Sequence, residues 1–159
     1  MKKKYILFTV VGALLGAGAV LIGDGLLVPA RASGSRGVTG VWVVKFPEAP
    51  FPYHMMTFNS DGTLQQANPD AGDRHTSDSD GMGVWVKDGN KIRGKFVEIT
   101  ADRGSHEFVS RGEIAFEISL GKDDNTLAGT ALANFYDESG KLVQGPIHAT
   151  MTGTRVTLP

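Results

Sequence analysis

An all-β fold is what the sequence predicts after an N-terminal leader: about eight antiparallel strands running up and down around a β-barrel. Three observations predict it. Hairpin-type turns recur at short intervals, at Asp61-Gly62, Asp88-Gly89-Asn90, Arg103-Gly104 and Ser139-Gly140, each between β-branched or aromatic runs. Ile114, Phe116 and Ile118 fall on one face of their run while Glu113, Ala115, Glu117 and Ser119 fall on the other, the period of a half-buried strand. Gly supplies 21 of the 159 residues without a collagen-like period, which suits tight turns and strand kinks better than long helices.

The leader comes first. Met1-Lys2-Lys3-Lys4 precedes an apolar or small run from Tyr5 to Gly23, which Asp24 interrupts. Basic residues hold the amino end in the cytoplasm while the apolar run enters the membrane, and Ala30-Arg31-Ala32 has the small-x-small pattern of a signal-peptidase site. Residues 1–32 therefore read as a signal peptide cleaved after Ala32 or as an uncleaved anchor over residues 5–23, a run of bilayer-spanning length. Both readings place the rest outside the cytoplasm, secreted or periplasmic, touching membrane only through that segment. Residues 33–38 are small and glycine-rich, a flexible join, and 39–159 form the barrel domain.

Without residues 1–32 the chain keeps 12 basic and 16 acidic residues, a net charge of −4 rather than −1. That surface has no electrostatic reason to bind nucleic acid or anionic lipid. The absence of cysteine excludes disulfides, thiolate metal sites and cysteine nucleophiles. With 41% hydrophobic and 21% charged residues, the domain must hold together by packing around one core.

The strands follow in order. Val41 to Phe46 is β-branched and aromatic, and Pro47, Pro50 and Pro52 end it because proline cannot donate to a ladder. His54 to Asn59 returns through Asp61-Gly62, expected as a type I′ turn with both central residues at positive φ, into Thr63 to Ala67. Asn68 to Asp80 is polar and acidic, the long loop. Strands resume at Gly83 to Val86, Ile92 to Ala101, Phe108 to Leu120, Leu127 to Tyr136 and Leu142 to Val156. Arg93 and Lys95 mark the wet face of their strand, so Gly94, Phe96, Glu98 and Thr100 face inward. Gly129, Ala131 and Ala133 share a face and leave room inside a barrel otherwise just wide enough for side chains.

Gly40-Val41-Trp42 in the first strand, Thr152-Gly153-Thr154-Arg155 in the last, and the up-and-down order between them resemble the lipocalin/calycin superfamily. The resemblance implies that Trp42 packs under Arg155 to close the barrel floor, with Gly40, Trp42 and Arg155 as a structural signature. Lacking cysteine and a helical stretch after the last strand, the chain is closer to a calycin-like barrel than to the narrower lipocalin family. The hairpins are also similar to barrels related to allene oxide cyclase, which implies an isomerase or cyclase acting on a lipid-like or polyketide substrate.

Two functions are carried forward. One is a binding module whose interior holds a small hydrophobic molecule, lined by Met55, Trp85, Phe96, Phe116 and Met151. The other is the cyclase-type enzyme, in which Glu98, desolvated inside the barrel, serves as acid or base. A one-residue register slip would instead put Glu98 in water. His54, His75, His106 and His148 lack metal-ligand spacing. Asp78-x-Asp80-Gly81 looks like part of an EF-hand, but Thr76 holds its first ligand position and Lys87 its last, where a bidentate Glu is needed. No metal and no cofactor are expected, and the acidic loop reads as solvated or as a lid.

Overall fold

Period-two patterning folds into strands β1 (Gly40–Lys45), β2 (Tyr53–Phe58), β3 (Thr63–Ala67), β4 (Thr76–Asp78), β5 (Gly81–Asp88), β6 (Lys91–Asp102), β7 (Phe108–Leu120), β8 (Thr126–Tyr136) and β9 (Leu142–Arg155). The computed structural model describes residues 37–159. The leader, its cleavage site and residues 33–36 of the join lie outside the described residues. Among the described residues there is no helix.

Eight strands close into an antiparallel up-and-down barrel, in the order β6-β5-β3-β2-β1-β9-β8-β7, with β7 pairing back to β6. The ninth, β4, adds to the far end of β6, pairing Thr76 with Asp102 and Asp78 with Thr100. It continues the line of β5 beyond a break at Ser79 and Asp80. Closure removes free sheet edges around the barrel.

One turn differs from expectation. Among the described non-glycine residues positive φ occurs only at Asp70, His106 and Asp124, so Asp61 does not adopt it and the type I′ assignment fails. Instead Asn59 N–H donates to Thr63 O, Gly62 N–H donates to Asn59 O, and Gly62 alone has positive φ, at 87°. This is a three-residue loop with a glycine bulge, stabilised by Asp61, which accepts from Thr63 N–H and its hydroxyl.

The core fills one end of the barrel. Trp42, Phe58, Leu64, Ile92, Phe116, Ile118, Leu127 and Met151 are buried there, with Phe58 edge-on to both Trp85 and Phe116. A side chain at Gly94 would begin 2.3 Å from the Phe116 ring, so glycine lets that ring lie across β6. Outside, Arg93 pairs with Glu117 and Lys95 with Glu113 across β6 and β7. These exposed pairs mark the wet face and add little stability.

Arg155 seals the packed end. It pairs in register with Trp42 across β9 and β1, and its guanidinium lies over the indole at 4.3 Å. Its nitrogens donate to the main-chain carbonyls of Gly37, Thr39 and Asp124. Trp42 Nε1–H donates to Val38 O at 2.8 Å. Gly40 sits at φ 126°, and a side chain there would begin 3.0 Å from Arg155 Nη1, so the guanidinium's position requires the glycine.

Candidate functional site

The opposite end is hollow. A cavity of about 470 Å³ opens there, within the size range of small-molecule sites. Its deep wall is small and apolar, with Ala131 and Ala133 of β8 and Ala149 of β9 facing Phe96 and Ile114. Small residues leave volume where the packed end has Phe58, Phe116 and Met151. Gly129 instead pairs with Ile118 and Met151 in the packed half, so only part of the small-residue face lines the cavity.

Two loops complete the mouth. Phe46 to Phe51 forms its proline-rich side, held by Phe46 N–H donating to Pro52 O and by Glu48, which accepts from Thr150 N–H at 3.0 Å. The acidic loop forms the other side through Asn68, Gly72, Asp73, Thr76 and Asp78, and Gly72 meets Pro50 so closely that a Cβ would lie 3.3 Å from it. The acidic residues largely hold this loop in shape. Asp70 accepts from Ser77 Oγ and Asp78 N–H and pairs with Arg103 at 2.8 Å, while Asp80 accepts from Asn68 N–H. No group of three metal-ligating side chains occurs among the described residues.

Glu98 faces this cavity. Alternation along β6 points Phe96, Glu98 and Thr100 inward, and the ladder to β7 stays in register through Thr100, slipping only after it. Burial first, and the nearby Asp78 carboxylate second, push the Glu98 carboxyl up to about 7, against a hydrogen bond with Asn68 that favours the charged form. Asp78 is positioned by Thr100, whose hydroxyl donates to its Oδ1 at 2.7 Å. Glu98 offers an acid or base poised near neutrality at the edge of an apolar space.

His54 also reaches the cavity, but its ring is committed. Nε2 lies 2.9 Å from Phe51 O and Nδ1 lies 2.7 Å from Gln66 Nε2, so Nε2–H donates and Nδ1 accepts. Gln66 is buried, and its Oε1 accepts from Gly81 N–H. Burial holds the imidazole below its ordinary value, and a second ring proton would oppose the Gln66 amide. His54 is a neutral wall edge-on to Phe46, with both nitrogens engaged.

Of the expected lining residues, Phe96 borders the cavity together with Glu98. Trp85, Phe116 and Met151 do not: their strands carry them into the packed end. Met55 is on the outside, 48% exposed, because the parity of β2 turns Met56 and His54 inward. Sequence reasoning did not pick out Phe46, Phe135, Ile147, Gln66 or Asp78 as site residues. The prolines were visible as strand terminators, and Asp78 as one acid of the polar run and of the rejected EF-hand fragment.

The likeness to calycin-like barrels therefore rests on the fold, because comparison with family models, curated proteins and solved structures finds no match to this chain.

Proposed function

We propose that this chain is an exported, calycin-like barrel that binds a small, largely apolar molecule in the cavity at its open end. The observation that carries this reading is the division of the barrel: large side chains fill one half, while Ala131, Ala133 and Ala149 leave the other hollow beneath two loops. Burying an apolar body there contributes about 25 cal/mol for each Å² removed from water. Native mass spectrometry of protein purified from its own host, followed by organic extraction, tests it. One or a few defined apolar masses are expected, and protein that is empty and takes up no apolar probe would contradict the reading.

The interior position of Glu98 favours a second reading, an isomerase or cyclase similar to the allene oxide cyclase barrels. With its carboxyl at about 7, Glu98 would shuttle a proton on a flexible lipid-like or polyketide substrate folded by the cavity wall. Glu98→Gln keeps shape and removes the proton exchange. Unchanged turnover of such a substrate by that variant would dismiss the enzymatic role.

A further inference from the structure

The charged groups around the cavity are all of one sign. Glu48, Asp73, Asp78 and Glu98 border it, and no Lys or Arg does among the described residues. His54, with both ring nitrogens engaged, supplies no cation. None of the ion pairs among the described residues involves Glu98 or Asp78. Asp70, by contrast, has Arg103, and Glu113 and Glu117 have Lys95 and Arg93. Glu98 and Asp78 both border the cavity and neither has a cation, with Phe96 beside Glu98 on the same inward face of β6.

Building on the binding reading, we propose that the occupant is an amphipathic amine, its apolar body against Phe96, Ile114 and the alanine wall and its ammonium group between Glu98 and Asp78. An ammonium has three donors to distribute over the two carboxylates, and its charge relieves their mutual repulsion. A carboxylate or phosphate headgroup would add a further negative charge at the same place. A mouth lined by one sign of charge with low-dielectric walls also concentrates cations and repels anions. The elevated pKa of Glu98 fits a carboxyl lacking its counter-ion, and amine binding would draw it into the ionised form.

The test compares three probes of equal chain length, n-octylamine, 1-octanol and octanoate, by isothermal titration calorimetry at near-neutral pH. Octylamine is expected to bind about tenfold or more tightly than octanol, with octanoate weakest, as for a charge-assisted hydrogen bond in a partly buried site. Glu98→Gln combined with Asp78→Asn should bring the octylamine-to-octanol ratio close to unity. Octanol or octanoate binding as well as octylamine would overturn the amine assignment and leave the apolar-cavity reading standing. An octylamine preference that survives the double substitution would place the amine elsewhere and likewise overturn it. Failure of all three probes, together with a neutral apolar dye, would remove the cavity reading and the amine with it.

Discussion

Arg155 lies over the Trp42 indole at 4.3 Å while donating to the carbonyls of Gly37, Thr39 and Asp124, so one side chain ties the last strand to the first and to two turns. Removing it strands buried carbonyls as well as the indole face. Arg155→Ala is expected to cost about 2–4 kcal/mol in urea unfolding, and Arg155→Lys to recover only part of that. Probe binding at the far end, measured well below the melting temperature, should persist in both variants. Selective loss of binding at unchanged stability would contradict the structural role.

Glu98 gives the protein an unusual pH dependence. Its carboxyl rises from 4.5 to about 7 on folding, so between those values the native state binds more protons than the unfolded chain. This contribution therefore weakens stability as pH rises through that window, opposite to that of an ordinary paired carboxylate. Glu98→Gln should be more stable than the parent above neutrality, by about 1–3 kcal/mol and with a higher melting temperature, and should melt with it near pH ~4. Thermal scans at both pH values check it, and equal melting temperatures above neutrality would place the carboxyl in water.

Gln66 supports the site from behind. It joins β3 to Gly81 N–H and to His54 Nδ1, so Gln66→Leu leaves a buried main-chain donor and a ring nitrogen without their partner. A loss of about 2–3 kcal/mol is expected in denaturant unfolding. A neutral effect would show that water replaces both bonds.

Asp70 orders the mouth. The Asp78 main-chain N–H, then Arg103 and Ser77, hold its carboxyl below the usual range despite partial desolvation. Its contribution is therefore present above the ordinary Asp pKa and lost as pH falls through the depressed value. Asp70→Ala should accelerate hydrogen exchange at the Asp78 amide by about tenfold or more and leave the barrel strands protected. Unchanged exchange at Asp78 would show that the loop is held without this carboxylate.

The parity of the strands was legible in the sequence, and their depth in the barrel was not. Arg93 and Lys95 on one face of β6 were enough to turn Glu98 inward. The same parity applied to β2 turns Met55, expected as lining, to the outside. Trp85, Phe116 and Met151 do face inward, but alternation says nothing about distance along the barrel axis. That distance follows from the stagger between strands, as when Phe116 pairs with Gly94 and Ala131. β4 has only three polar residues, Thr76-Ser77-Asp78, and carries no hydrophobic period. The partnership of Asp78 with Thr100 was therefore invisible before the fold was known.

The most direct measurement fills the hollow end. Ala133→Phe places a ring into the cavity from β8 and keeps a residue type that strands favour. Titrated with the neutral dye N-phenyl-1-naphthylamine, the parent protein should show saturable, blue-shifted fluorescence at one dye per chain. The variant should lose that signal with no fall in melting temperature. Equal dye binding by the two proteins would show that the cavity at the open end of the barrel is not where an apolar molecule sits.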